Sequence, residues 1–109
     1  MHLYATAMVK LIVLHGQPTD AEAFDAHYFS THAALAARMP GVRRFEAARC
    51  ASMDGSPGAY YLQAELWFDD ADALRACFAS PEGRAAADDV PTFATGGAAM
   101  LVGEVLGAG

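Results

Sequence analysis

Between Tyr60 and Phe68 the chain alternates with the period of a β-strand. Leu62, Ala64 and Leu66 form one plain apolar set, and Tyr61, Gln63, Glu65 and Trp67 fall on the other side. The turn cluster Asp54-Gly55-Ser56-Pro57-Gly58 precedes this segment and the acidic run Asp69-Asp70-Ala71-Asp72 follows it. A strand with one apolar face needs neighbours, and the rest of the sequence supplies them. Met8 to Leu14, rich in Val, Ile and Leu and bounded by Gly16 and Pro18, predicts a first strand. Thr19 and Glu22 make a T-x-x-E capping box, with Asp20 adding charge that the helix dipole favours. Phe24, Tyr28, Thr31, Leu35 and Met39 then recur at helical spacing up to Pro40-Gly41. Val42 to Ala51 reads as a second strand. Asp69 or Asp70 caps a second helix that buries Leu74, Cys77 and Phe78. Ser80 caps a short helix with Pro81 in its first position. Pro91 to Gly97 reads as a loop and Ala98 to Leu106 as a last strand. The order β-α-β-β-α-β predicts an α+β, ferredoxin-like fold: a four-stranded antiparallel sheet with the helices on one face.

At 109 residues this is one domain, taken as residues 8–109 behind an N-terminal extension of residues 1–7. No run approaches the roughly 20 apolar residues of a membrane span. Seven Lys plus Arg and a net charge of −6 give no basic footprint for nucleic acid. Cys50 and Cys77 make no disulfide framework, so with no secretory signal the expected location is cytoplasmic, with reduced thiols. One lysine, Lys10, among abundant alanine fits a GC-rich bacterial genome.

The 54% hydrophobic content exceeds what a domain of this size usually carries. Strand alternation suggests where the surplus goes. Val9, Leu11 and Val13, with Phe45, Ala47, Leu101 and Val105, are assigned to the helices. The bare face then carries Met8, Ile12, Leu14, Tyr61, Trp67, Met100 and Val102, together with Lys10, Glu46, Glu65 and Glu104. The first and third strands lie side by side in this fold, so Lys10 and Glu65 form a cross-strand pair. Large apolar groups mixed with charges fit a cavity closed by a second subunit; the alternative is a solvated face with aromatics at its rim.

Val9-Lys10-Leu11-Ile12-Val13-Leu14, the helix segment Phe24-Asp25-Ala26-His27-Tyr28-Phe29-Ser30-Thr31-His32 leading to Leu35, Met39-Pro40-Gly41, Ala64-Glu65-Leu66-Trp67-Phe68 and Ser80-Pro81-Glu82-Gly83 together resemble the EthD family. The resemblance runs from about Met8 to Met100. It implies a dimeric α+β barrel in which two such sheets meet face to face. It also implies kinship with isomerases, cyclases, dehydratases, cofactor-free monooxygenases and haem-degrading enzymes, and a setting in xenobiotic degradation beside oxidoreductases. Gly96-Gly97 is not a dinucleotide-binding loop, so no cofactor is expected.

His32 matches the histidine of the family's helix motif and lies four residues after Tyr28, at the edge of the buried helix face. An imidazole titrates near neutrality and suits acid–base work on a small carbon acid. The alternative is a histidine that bonds a neighbour and orders the dimer. His27 and His32, five residues apart, diverge by about 140° on an α-helix and make no zinc pair; no metal site is expected. Haem held by His32 alone ranks below acid–base chemistry. Tyr28, Tyr61, Trp67 and Glu65 are the pocket-lining candidates. His15, at the end of the first strand, stands at a pocket entrance or in a solvated loop. Phe93 is a lid in the 91–97 loop or simply pins that loop. Glu65 either orients a substrate or only pairs with Lys10. Two functions remain: a cofactor-free enzyme of isomerase, dehydratase or oxidoreductase type acting on an apolar, oxygen-bearing molecule, or a non-catalytic dimer that binds an intermediate of a monooxygenase-linked degradation route.

Overall fold

A computed structural model describes residues 7–107, so the expected extension over residues 1–7 falls almost wholly outside them. Four strands, β1 (Val9–Gly16), β2 (Arg44–Arg49), β3 (Tyr60–Phe68) and β4 (Ala98–Glu104), form one antiparallel sheet in the order β2-β3-β1-β4. Helices α1 (Ala21–His27), α2 (Ala33–Ala36), α3 (Ala71–Ala79) and α4 (Pro81–Phe93) complete the described structure, and a π-helical turn, Tyr28–His32, joins α1 to α2. This is the α+β, ferredoxin-like sheet expected. Among the described residues no helix is long and apolar enough to cross a membrane.

The alternation on the two central strands reads as predicted. Val9, Leu11 and Val13 of β1 and Leu62, Ala64 and Leu66 of β3 are all buried, while the residues between them are half-buried. Their face packs against Phe24, Tyr28, Cys77, Ala86, Val90 and Phe93 from the helical layer. On the open face Lys10 Nζ donates to Glu65 Oε2 at 2.6 Å, as expected. The pair is diagonal, because Lys10 is registered opposite Trp67 and Glu65 opposite Ile12. Lys10 and Arg44 flank the Trp67 ring at 5.2 and 4.9 Å. The hydrogen bond from Lys10 holds the Glu65 carboxyl below its usual range.

Four expectations need correction. The β4 faces are inverted: Met100 is registered with Val13, Val102 with Leu11 and Glu104 with Val9, so these three share the helix side and Leu101 falls on the open face beside Ile12. Ala98-Ala99-Met100-Leu101-Val102 is apolar at every position, so no alternation announces its parity, and a one-residue slip exchanges the faces. Tyr61 also leaves the open face. The register shifts between His15 and Gly16, with Leu62 opposite His15 and Tyr60 opposite Gly16. This bulge swings the extra residue toward α1, where the Tyr61 ring meets Phe24 at 5.1 Å and its hydroxyl donates to Asp25 Oδ1 at 2.8 Å.

The third correction is the cap of α1, which is Asp20 and not Thr19: Asp20 Oδ1 accepts from the Ala23 N–H at 3.1 Å. Thr19 instead ties to Thr95, whose hydroxyl accepts from its N–H at 3.0 Å. The fourth is the loop expected over Pro91–Gly97, since α4 runs through Pro91 to Phe93. Proline forfeits one hydrogen bond near the helix end, and burial of Val90 and Phe93 on either side of it offsets that loss. Asp70 caps α3 and Ser80 caps α4, with Pro81 opening the latter. A side chain at Gly83 would run into the Cys77 carbonyl, so glycine there lets α4 turn closely across α3.

Candidate active site

The site is built by the π turn. An α-helix sends residues five apart to different faces, but a π turn closes its hydrogen bonds over five residues and narrows that angle. Here the Ala33 N–H reaches back to the Tyr28 carbonyl. As a result His27 and His32 converge on one carboxylate, Asp89 of α4. His32 Nδ1 lies 2.9 Å from Asp89 Oδ2, and His27 Nε2 lies 2.9 Å from both carboxylate oxygens. Thr92 Oγ1 adds a hydrogen bond to Asp89 Oδ1 at 3.1 Å. The 140° divergence expected of the two histidines is therefore overturned. Among the described residues, no cluster of three or more His, Cys, Asp or Glu is disposed to hold a metal ion.

The Asp89 carboxyl is largely buried, which by itself would raise its pKa. Hydrogen bonds from His27, His32 and Thr92 outweigh that and hold it below the usual carboxylate range. An ionised carboxylate only accepts hydrogen bonds, so the proton between Asp89 and His32 belongs to His32 Nδ1. The ring's other nitrogen, Nε2, has no hydrogen-bond partner among the described residues.

The His32 ring lies on the wall of a cavity of about 40 Å³ between the helices and the sheet. Its walls are mainly aliphatic, from Leu11, Val13, Ala64 and Leu66 below and Ala36 and Val90 above. Phe45, Ala87 and Met100 form an exposed or half-buried rim. A volume of that size admits a few waters or a small functional group, with the rest of a ligand at the rim.

Two further polar groups line it. His15, expected at an entrance or in a solvated loop, is 1% exposed, because it has the same parity as Val13 and so points under α1. Burial chiefly, and the nearby His32, pull its pKa down to about 4. Tyr28 is 2% exposed, and burial pushes its phenol up to about 12. Both rings belong to an aromatic cluster with Phe24 and Phe93. Phe93 does not sit in a loop, as expected of a lid or loop pin: it ends α4, is buried, stacks on His27 at 5.1 Å and lies tilted against His32 at 4.8 Å.

The residues expected to form one pocket thus divide. His15, Tyr28 and His32 line the helix-side cavity, and Phe93 backs it. Glu65 and Trp67 lie on the opposite face of the sheet, and Tyr61 stands beside α1 with Asp25 and Arg49. The cavity that holds His32 is therefore not the space expected between two sheets. Sequence reasoning missed Asp89, whose only signal was a polar residue on the Ala86–Val90–Phe93 side of a short helix.

The EthD domain model matches residues 16–97. A Rhodococcus erythropolis protein, described as an uncharacterized 11.0 kDa protein in the thcB-thcC intergenic region, is 44% identical over 94 residues, covering 86% of this chain and 91% of that protein. The crystal structure of an EthD family protein from Bacillus halodurans has 39% identity and a TM-score of 0.86, covering 91% of this chain and 99% of that one. More distant structures share the fold. A dimeric ferredoxin-like protein of Thermobifida fusca has 18% identity and a TM-score of 0.70, covering 95% and 97% of the two chains. A mutant of the cofactor-independent oxygenase SnoaB of Streptomyces nogalater has 20% identity and a TM-score of 0.65, covering 95% and 97%. The family model spans three quarters of the chain and two relatives exceed 30% identity over nearly all of it, so this chain belongs to the EthD family.

Proposed function

We propose that this protein binds a small, apolar, oxygen-bearing molecule in the helix-side cavity and moves a proton on it, with His32 as the base and no cofactor. The observation that carries the reading is the 2.9 Å bond from His32 Nδ1 to Asp89, made by a ring on the cavity wall. Asp89 fixes the ring and its tautomer, which leaves the Nε2 lone pair as proton acceptor. For a carbonyl compound the step is the transfer of an α-proton to Nε2. The C–H pair becomes the new C=C bond, and the C=O π pair moves to oxygen. Once the proton on Nε2 has been replaced from solvent, delivery to the same carbon gives exchange, and delivery elsewhere gives isomerisation. His27, at 31% side-chain exposure, links the carboxylate toward solvent.

The test needs no knowledge of the physiological substrate. In deuterium oxide, the protein is expected to speed α-deuteration of cyclohexanone, followed by proton NMR, and folded His32→Ala is expected to lose that activity. Equal exchange by the two proteins contradicts the reading. Ketone binding without exchange by either identifies a carrier.

A second copy belongs to the same proposal. The open face exposes Met8 and Leu101 beside half-buried Ile12, Leu14 and Trp67, apolar surface that a second copy would cover. The fold relative from Thermobifida fusca is described as dimeric. Sedimentation velocity at micromolar concentration is expected to give twice the chain mass; a stable monomer contradicts the dimer.

A further inference from the structure

We infer that Tyr28 Oη and His15 Nδ1 form an oxygen-binding subsite for an uncharged carbonyl compound. The inference deepens the acid–base reading of His32 and rests on it for the role of the bound oxygen. These are the two buried side-chain polar atoms without a hydrogen-bond partner among the described residues. Both residues line the cavity, and their rings meet edge to face at 5.9 Å. A buried polar atom left unpaired costs free energy, so two of them side by side on a cavity wall are a site awaiting a partner.

The chemistry of the partner follows from the surroundings. Both groups are neutral over the physiological range, for burial keeps the Tyr28 proton on and the His15 ring uncharged. Among the described residues no Lys, Arg, Asp or Glu lines the cavity. An anionic ligand would meet no counter-charge, and a hydrocarbon would leave both polar atoms unpaired. A carbonyl oxygen accepts from the Tyr28 hydroxyl and, with the proton on Nδ1, from His15 as well. The Tyr28 and His32 ring centroids are 5.4 Å apart, so the oxygen subsite and the base share one stretch of the cavity wall. The negative charge that develops on oxygen as the α-proton leaves then falls against the Tyr28 hydroxyl, joined by His15 when Nδ1 carries its proton.

The test compares three ligands of similar shape: cyclohexanone, methylenecyclohexane, which has no oxygen, and cyclohexanecarboxylate. Binding is followed by amide chemical shifts. Cyclohexanone is expected to bind at least about tenfold more tightly than either comparator. Tyr28→Phe, which keeps the ring packing, is expected to weaken cyclohexanone about tenfold while leaving the alkene unchanged. Its thermal midpoint is expected to hold or rise, because an unpaired buried hydroxyl is removed. Three outcomes overturn the subsite: no preference for the ketone over the alkene, equal loss of both ligands in Tyr28→Phe, or a lowered midpoint, which marks a structural hydroxyl. His32→Ala is expected to keep ketone binding within about threefold. Exchange surviving in that variant defeats the acid–base reading alone, whereas lost oxygen selectivity defeats the subsite alone.

Discussion

Replacing Phe24 with alanine is expected to lower the unfolding free energy by about 3–5 kcal/mol. Phe24 is 2% exposed and is the centre of the cluster beneath α1. Its ring lies 5.1–5.7 Å from those of Tyr61, Phe93, His15 and Tyr28. Alanine loses the transfer free energy of the ring and opens a void among side chains anchored on β1, β3 and α4, which cannot all close in. A loss of that size is a large share of the roughly 5–15 kcal/mol that holds a small domain together. It corresponds to a fall in Tm of at least about 12 °C, measurable by calorimetry. A cost under about 1 kcal/mol would mean that these rings do not share a packed core.

The second large effect is kinetic. His32→Ala and Asp89→Asn are each expected to slow α-deuteration of a bound ketone on the order of 10²–10⁴-fold, the usual range for a positioned base. The two act by different routes. Alanine removes the acceptor. Asparagine keeps the shape, but its amide can donate to Nδ1, which moves the imidazole proton to Nε2 and leaves no lone pair for the substrate. Asp89→Asn is therefore expected to preserve ketone affinity and lose rate. Affinity and rate falling together in that variant would point to collapse of the cavity. His27→Gln is a milder case: Asp89 keeps its bonds from His32 and Thr92.

Strand β3 is legible to the residue, Tyr60 to Phe68, because its alternation and both boundaries are written in chemically distinct residues. The same logic fails on β4, where apolar residues occupy both faces, and parity comes from pairing with β1. His32 and Tyr28 are legible as members of a helix face. The π turn that brings His27 beside His32 is not, although Ser30 and Thr31 in mid-helix are a signal: Ser30 Oγ donates to the Ala26 carbonyl at 2.5 Å, a local bond that competes with the helical pattern. Asp89 is illegible because its meaning depends on where α4 lands, 57 residues beyond His32 in the chain. His15 misleads for a related reason. A histidine at a strand end looks solvated until tertiary packing folds α1 over it. The surplus of apolar residues points to unmet surface on the sheet, and that surface exists. The cavity with the titratable groups lies under the helices instead.

The proposed chemistry turns on the state in which Asp89 holds the His32 ring, and long-range ¹H–¹⁵N NMR of the imidazoles at about pH 8, above the ordinary imidazole pKa, reads that state directly. The expected spectrum has the His32 proton on Nδ1 and a bare Nε2, with the pattern lost in Asp89→Asn. A His32 proton on Nε2, or a ring whose tautomer is unchanged by Asp89→Asn, contradicts the account.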